Sequence, residues 1–540
     1  PSKISSNDIF FGAWCFNENF QKKADEDLEF ISLDEMRLLE NNSNEIIIDL
    51  INFFESNLLS IENMPMPRKY LEIMIKPWLN AFVHLIILRV HRFKKITKLY
   101  KDDYFDVILM KDNISWKFND TLDFVINGSL NKIFNFWLIS RIIENNKPAR
   151  WNLSYISENY NNKKTIRNIS LKDKLYNHLI TLIPIYSVKG LSLINSVLLQ
   201  FKLGLKKANF SSEDIINHKK KRKLNSDFNW ELYAMKLIPQ NFKNLKLNIK
   251  NKKTHRYIIC CGSKMYYDEG FKQKIAEGVC SGDKLILSQH GGVYGSVAVH
   301  AAVNSVEFSN SQKYITWGWK GNSYLNETVP LPSPYLSKFN YINQNGNIIF
   351  IDSNVNLYSF RINSINLSFE NLDRRNNLFK IYSSLDDQLK KYFYYRPPLS
   401  QSGGEALSLD FKKQFKEKVN IIEGDLHTET MKSKVVIIDG PNTTMNILLS
   451  AKVPTIAFWN NNYNFFDKNI LEIIEKLKKY GVIHNSPNEA IRKLNEVYFD
   501  IDSWWLNEEL QRTLDEFNKN YALSDCNYMN SWSKFIKNLN

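Results

Sequence analysis

The sequence predicts an α/β protein with parallel sheets in its C-terminal half and a mainly helical N-terminal half. After residue 256, short apolar runs alternate with segments that carry apolar residues at helical spacing. This alternation is typical of strand–helix–strand units, which build parallel sheets. Before residue 250, apolar residues recur every three or four positions over residues 28–59 and 70–100, the pattern of helices with one buried face.

The apolar runs of the C-terminal half are predicted strands. They lie at residues 257–261, 284–288, 314–317, 347–352, 419–422, 434–439 and 453–458, with helical patterns at 270–280, 367–392, 443–451 and 469–479. These units predict two Rossmann-like lobes with a cleft between them. One further strand is predicted at residues 9–15, within the helical half.

A proline-rich segment divides the two predicted lobes. Residues 326–347 contain Pro330, Pro332 and Pro334 and show little periodicity, which predicts a linker. We therefore expect domains at residues 1–335 and 336–505. Residues 506–540 are helical in pattern and rich in Trp and Phe, and we expect them to pack back on the first lobe.

Composition limits the compartment and the partners. The net charge of +14 favours anionic ligands such as nucleotides, acidic sugars or lipid head groups, although a Lys-rich coding bias explains it equally well. The five cysteines are odd in number and lack metal-ligand spacing, which predicts a reducing, cytoplasmic environment. No nucleic-acid recognition motif is present, so we expect no nucleic-acid partner.

Two apolar stretches and one basic run bear on membrane contact. Residues 78–90 and 179–201 are interrupted by polar residues, so buried helices are predicted rather than bilayer spans. The run HKKKRK, from His218 to Lys223, predicts a solvated loop. Its alternative function is peripheral attachment to the anionic inner membrane.

The first candidate ligand loop is QHGGVYG at residues 289–295, directly after a predicted strand. Ligands of open parallel sheets bind at the carboxyl ends of strands. Glycines allow the backbone to approach a ligand, and a histidine serves as a general base or a phosphate donor. A tight turn with a structural histidine is an equal alternative. The candidate residues are Gln289, His290, Gly291, Gly292 and Tyr294.

The second candidate is Asn442, Thr443 and Thr444, which follow a predicted strand and open a predicted helix. A helix N-terminus offers free N–H groups and a positive dipole end, and threonine hydroxyls add donors, which suits a nucleotide phosphate. Plain N-capping is the alternative, and it is compatible with phosphate binding.

Three further positions are candidates because of their chemistry. Ser353 and Asn354 follow a predicted strand and suit a companion phosphate loop. Arg396 precedes a rigid Pro-Pro step, so it could fork onto a carboxylate or phosphate, or form a surface ion pair. Glu307 is the carboxylate expected nearest the cleft, as base, nucleophile or sugar anchor; an exposed helix carboxylate is the alternative.

The motifs that are missing also narrow the chemistry. The sequence contains neither GxxxxGK[ST] nor GxSxG. The one DxD spacing considered, at residues 25–27, falls in a helical pattern rather than at a strand end. We therefore expect no bound metal ion. Helix dipoles, hydroxyl groups and cationic side chains would instead stabilise the negative charge of the phosphate.

Taken together, these motifs resemble a bacterial family of cell-surface carbohydrate transferases related to the Kdo and pseudaminic-acid transferases. The resemblance extends over nearly the whole chain, and the central block is its most specific part. It is carried by FGAWC at 11–15, QHGGVYG at 289–295 with Glu307 and TWGW at 316–319, RP at 396–397, NTT at 442–444 with Pro454 and FW at 458–459, and WW at 504–505 with Gln511, Arg512 and Phe517.

The resemblance implies a GT-B-like fold with an acceptor-binding first lobe and a nucleotide-binding second lobe. It implies a glycosyltransferase that moves an acidic nonulosonic-type sugar from a CMP-activated donor, without a cofactor, to a glycan or lipid-linked glycan of capsule or lipopolysaccharide. On this view His290 and Glu307 face the reacting centre. The CMP phosphate is held by Ser353, Asn354, Arg396, Asn442, Thr443 and Thr444.

Two other functions remain open from the sequence. A CDP-alcohol phosphotransferase of the teichoic-acid type also has two lobes and a histidine beside a glycine. A non-catalytic carbohydrate- or membrane-binding partner of a surface-assembly complex would suit the many Trp and Tyr side chains.

Overall fold

The computed structural model describes most of the chain. The described residues are 30–58, 66–146, 148–157, 170–208, 228–245, 248–249, 254–321, 327–343, 345–353, 358–365, 371–397, 413–415, 419–422, 424–462 and 464–539. The predicted strand at 9–15, the DxD spacing at 25–27, the basic run at 218–223 and Asn354 lie outside these residues.

The N-terminal half is largely helical, as the sequence predicts. Its helices are α1 Leu33–Asn57, α2 Arg68–Met74, α3 Lys76–Leu99, α4 Lys132–Asn145, α5 Leu171–Leu182, α6 Leu193–Gly204 and α7 Trp230–Leu237, with a π-helical turn at Phe124–Ser129. Two parallel strands, β1 Phe105–Met110 and β2 Trp151–Ile156, are an addition that the sequence analysis missed.

Local chemistry explains where these helices begin and bend. Ser32 caps α1 in a capping box with Glu35, which satisfies two free N–H groups. One helix was predicted over residues 70–100, but α2 and α3 meet at an angle of 62°. Pro77 accounts for the break because it lacks an N–H and its ring clashes with the preceding turn.

A four-stranded parallel sheet follows, in the order β3-β4-β5-β6. Its strands are β3 Tyr257–Cys261, β4 Lys284–Ser288, β5 Lys313–Thr316 and β6 Thr328–Pro330, with α8 Lys264–Tyr267, α9 Glu269–Cys280 and α10 Ala301–Val306 between them. Strand β6 lies inside the predicted linker, so part of that segment belongs to the sheet. An edge position tolerates Pro330, which has no N–H to donate.

The second sheet has six parallel strands in the order β12-β11-β10-β7-β8-β9. They are β7 Ile348–Ile351, β8 Phe393–Arg396, β9 Asn420–Ile421, β10 Val435–Ile438, β11 Thr455–Phe458 and β12 Ile483–His484. The accompanying helices are α11 Asn371–Ser384, α12 Asp387–Lys390, α13 Leu426–Lys432, α14 Thr443–Ser450, α15 Leu471–Lys479 and α16 Pro487–Val497. The central strands β7, β10 and β11 are buried along their whole length.

The chain ends in three helices, α17 Ile501–Trp505, α18 Glu508–Tyr521 and α19 Tyr528–Lys537. Helix α18 packs on α14 and α15, and α19 packs on α6. The segment between α18 and α19 joins the four-stranded sheet region, because the N–H of Leu523 donates to the carbonyl of Trp317 at 2.9 Å. The structure thus confirms a mixed α/β protein with parallel sheets and many helices.

No single helix of the described chain has the length and apolar composition that a membrane span needs. Helices α2 and α3 meet that requirement only together, as a pair bent by 62°.

Candidate functional site

Two loops that the sequence singled out separately meet in space. The loop after β4 touches the N-terminus of α14, since the N–H of Gly292 donates to Oγ1 of Thr443 at 2.9 Å. A β-carbon on residue 292 would lie 2.8 Å from the Cα of Thr443 and 2.0 Å from Oδ1 of Asn446. Glycine at this position therefore allows the two loops to approach so closely.

Hydrogen bonds of the Gln289 side chain hold the loop at residues 289–295 in place. Its Oε1 accepts hydrogen bonds from the N–H of Trp317 and the Nε1–H of Trp319, both at 2.8 Å. Its Nε2 donates to the carbonyl of Gly291, also at 2.8 Å. This buried side chain therefore positions the loop that contains His290.

Behind the loop lies Glu307, which is 0% exposed. Three tyrosine hydroxyls donate to its carboxylate: Tyr266 to Oε1 at 2.9 Å, Tyr294 to Oε1 at 3.0 Å and Tyr314 to Oε2 at 2.7 Å. The alternative of an exposed helix carboxylate is therefore wrong, and Glu307 sits behind Tyr294 rather than in open space.

The environment of Glu307 has two opposing effects on its proton affinity. Burial, the largest effect, disfavours the charged form. The three tyrosine hydrogen bonds and the charge of Arg361 favour it. The balance raises the pKa of Glu307 to about 7, so its protonation state changes near neutral pH.

His290 connects this buried carboxylate to the surface. A quarter of its side chain is exposed (25%), and its Nδ1 lies 3.7 Å from Oε2 of Glu307. The hydroxyl of Tyr294 lies 3.1 Å from Nε2 and 3.3 Å from Nδ1 of the same ring. Desolvation, followed by the charges of Lys189, His300 and Arg361, lowers the pKa of His290 to about 3, so the imidazole is neutral at pH 7.

On the other side of the contact, Asn442 caps α14. Its Oδ1 accepts from the N–H of Thr444 at 2.8 Å, and its Nδ2 donates to Oγ of Ser353 at 2.8 Å. Ser353 in turn donates its N–H to Oδ1 of Asp439 at 2.7 Å. The structure thus brings the ends of β7 and β10 together, and the capping alternative is observed for Asn442.

Arg396 occupies the end of the neighbouring strand β8. Its Nη1 donates to the carbonyls of Ile422 at 2.8 Å and Gly424 at 3.1 Å. This group is therefore used to hold the chain after β9, which differs from both the predicted ligand fork and the surface ion pair.

A cavity of about 480 Å³ opens beside His290. Three lysines line it: Lys189, Lys264 and Lys338. The Lys264 Nζ has a carboxylate of Asp268 at 3.6 Å, whereas Lys189 packs its Nζ 4.0 Å above the ring of Tyr335. The remaining lining residues include Tyr176, Tyr186, Ser187, Cys261 and Ser263. The cavity is therefore polar and net positive.

Comparison with known proteins supplies the class of chemistry. Residues 2–536 match the family described as LIC12162 family transferase. The chain belongs to this family. It is accordingly a transferase, and the match covers the described site from β3 to α18. No curated protein matches the sequence.

In this LIC12162 family transferase, hydrogen bonds link the His290 ring through the Tyr294 hydroxyl to the Glu307 carboxylate. Tyr294 has one hydroxyl proton, which it donates to Glu307, so its oxygen accepts the N–H of His290. The other imidazole nitrogen then keeps its lone pair.

Several residues of the site escaped the sequence analysis. Gly262 directly follows β3, so the strand-end rule that found His290 would also have found it. Tyr314 lies within β5 and Tyr266 within the short helix α8, where no local pattern marks them. Lys189 follows the turn at Pro184–Ser187 and gives no signal in sequence, because only the folded chain brings it to the cavity.

Proposed function

We propose that this transferase is a GT-B-like glycosyltransferase that moves an acidic nonulosonic-type sugar, pseudaminic acid or Kdo-like, from a CMP-activated donor. The acceptor is a sugar of a cell-surface glycan. One observation carries the proposal: the His290 loop touches the N-terminus of α14 through Gly292 and Thr443. The proposal rests on this contact because His290, which lines the cationic cavity, belongs to the loop that touches the helix N-terminus.

The donor phosphate belongs at the end of β10 in this proposal. The hydroxyls of Thr443, Thr444 and Ser353 supply donors, and the helix dipole favours an anion there; the N–H groups of Thr444 and Met445 already donate to Asn442. Asn442 holds Ser353 and the first turn in register through both ends of its amide. Asn354 stays in the proposed phosphate-binding set as a sequence prediction, whereas Arg396 leaves it because its Nη1 donates to the carbonyls of Ile422 and Gly424.

The acidic character of the sugar suits the cavity beside His290. Lys189 and Lys338 have no carboxylate within ion-pair distance among the described residues. A carboxylate of the donor sugar, or an anionic group of the acceptor, would meet these free ammonium groups there. A neutral hexose could accept hydrogen bonds from them but would form no ion pair.

The chemical step in this proposal is a direct displacement. The acceptor oxygen forms a bond to the anomeric carbon while the bond to the CMP phosphate oxygen breaks and CMP leaves with that electron pair. The acceptor hydroxyl proton passes to His290. Because Glu307 is fully buried behind Tyr294, its carboxylate supports the imidazolium and does not itself attack the sugar. The outcome is inversion at the anomeric carbon.

Two measurements on the purified protein test the proposal. Thermal unfolding is measured with CMP, CDP, UDP, GDP and ADP, since a ligand at about 100 times its dissociation constant adds roughly 2.7 kcal/mol of stability. Turnover is then measured with CMP-activated acidic sugars and with CDP-glycerol. Stabilisation by CMP and release of CMP from an acidic sugar support the proposal. Turnover of CDP-glycerol alone replaces it with an alcohol phosphotransferase, and stabilisation by UDP or GDP alone removes the acidic-sugar donor.

A further inference from the structure

Helix α6 is apolar on two faces, only one of which is covered by the described residues. Leu199 and Leu203 are buried, and the helix packs against α19 and the turn at Pro184–Ser187. On the other face, Ile194 is 74%, Phe201 69% and Leu205, just after the helix, 70% exposed. Val197 and Leu198 are exposed between them. The spacing of three and four residues places these side chains in one stripe, which we call the outer stripe of α6.

An exposed apolar stripe of this kind is typical of an interaction site. Single exposed apolar side chains are common, but contiguous ones mark interaction sites because each costs free energy in water. Helix α5 has the same property, with Leu171, Leu175 and Leu182 exposed at spacings of four and seven. Both helices pack against the turn at Pro184–Ser187, which lines the cationic cavity.

The charges around the outer stripe select its partner. Between residues 171 and 208 the chain has six lysines and one acidic residue, Asp173; Lys189, one of the six, lines the cavity rather than the stripe. Lys202, Lys206 and Lys207 lie within or directly after α6. An apolar stripe bordered by lysines is the pattern of a helix that lies in the head-group region of an anionic membrane.

We propose that α6 docks this protein on an anionic membrane surface, with Ile194, Leu198, Phe201 and Leu205 inserted among the lipids. This inference does not need the proposed function. It places a membrane contact on a described helix that precedes residues 218–223, for which membrane attachment was the alternative to a solvated loop. If the proposed function holds as well, docking brings the cavity beside His290 close to the lipid surface, where a lipid-linked acceptor presents its sugar.

Sedimentation with lipid vesicles tests the docking. Wild-type protein is mixed with vesicles of phosphatidylglycerol and phosphatidylcholine, or of phosphatidylcholine alone, without donor or acceptor. We expect binding to the anionic vesicles and a loss of about tenfold or more in partitioning for Phe201→Glu, because a charged side chain resists insertion. The matched control is Phe499→Glu: Phe499 is 62% exposed and lies in the turn at Tyr498–Asp500, far along the chain from α6.

Each other outcome overturns the proposal. If wild-type protein does not sediment with anionic vesicles, or if Phe201→Glu binds them as well as wild type does, α6 does not dock on the membrane. If Phe201→Glu and Phe499→Glu weaken vesicle binding equally, the net charge of the protein determines binding and α6 has no special role. If sedimentation velocity shows a dimer that Phe201→Glu dissociates, a second copy covers the outer stripe. Failure here leaves the nucleotide and turnover measurements unaffected, so the two proposals are tested separately.

Discussion

The carboxylate of Glu307 occupies the space that a side chain on Gly262 would need: a β-carbon on residue 262 would lie 1.7 Å from Oε2 of Glu307. No rotation of a flexible side-chain end relieves this approach cheaply, because three tyrosine hydroxyls hold the carboxylate in place. The position of the buried acid therefore depends on the absence of a side chain at the end of β3.

The first prediction concerns this pair. Gly262→Ala forces Glu307 off its tyrosine partners, and we expect a loss of about 1–3 kcal/mol in the free energy of unfolding, as for other overpacked sites. Urea denaturation measures the loss. The control is Gly270→Ala in α9, where a β-carbon meets nothing within 4 Å and stability should stay the same or rise. Equal stability of both variants would contradict the role of Gly262.

The second prediction concerns the pH dependence of stability. The pKa of Glu307 is about 7 in the folded protein against 4.5 for an ordinary glutamate. Since the folded state binds the proton more tightly, the stabilisation from the protonated acid is complete below pH 4.5 and is lost as the pH rises to about 7. The raised pKa corresponds to roughly 3 kcal/mol.

Glu307→Gln isolates this effect because it removes the titration and keeps the shape. We expect the unfolding free energy of wild type to fall relative to that of the variant by up to about 3 kcal/mol between pH 4.5 and pH 7, and then to stay level. Urea denaturation at a series of pH values measures the difference. A difference that does not change with pH would mean that Glu307 has an ordinary pKa.

Local signals predicted much of this fold. The bounds of β3 and β4 match the prediction to the residue because both are buried apolar runs with clear ends. The strands β6, β8 and β12 were missed. Thr328–Pro330 contains a proline and Ile483–His484 has only two residues, so neither has a pattern to detect, and Phe393–Arg396 directly follows the helical pattern at 367–392.

The sequence likewise predicts some residues of the candidate site and not others. Residues at strand ends, such as His290 and Asn442, follow from the parallel topology. Tyr266 and Tyr314 do not, because neither follows a strand end and their hydrogen bonds to Glu307 leave no periodic trace. The burial of Glu307 likewise arises from packing of several elements, and its sequence neighbourhood gives no hint of a perturbed acid.

The third prediction concerns the proton route and applies within the proposed reaction. His290→Ala removes the base, and we expect a loss of about 100-fold or more in kcat. Because the pKa of His290 is about 3 and that of Glu307 about 7, wild-type kcat/KM should rise through pH 7 as Glu307 ionises. Glu307→Gln should abolish that rise. A rise that persists in Glu307→Gln would assign it to another group.

Tyr294→Phe tests the link between these two residues. It removes the hydroxyl that donates to Glu307 while the ring stays, so nucleotide stabilisation should persist and the pH profile of kcat/KM should change. His178→Ala, at an exposed position on α5, is the matched histidine control and should keep both. A normal profile in Tyr294→Phe would show that His290 acts without the tyrosine.

The last prediction separates two neighbouring threonines at the start of α14. The hydroxyl of Thr443 accepts the N–H of Gly292, whereas the hydroxyl of Thr444 makes no such contact between the loops. Thr443→Val therefore leaves a part-buried N–H without its acceptor, and we expect a loss of about 1–3 kcal/mol in the free energy of unfolding even without ligand. Thr444→Val should leave the ligand-free protein as stable as wild type and weaken CMP binding by about tenfold, the effect of one lost hydrogen bond to a charged phosphate. Thermal unfolding with and without CMP measures both quantities. If Thr444→Val binds CMP as tightly as wild type does, the nucleotide phosphate lies elsewhere, because a phosphate bound at the start of α14 would lose its hydrogen bond to the Thr444 hydroxyl in this variant.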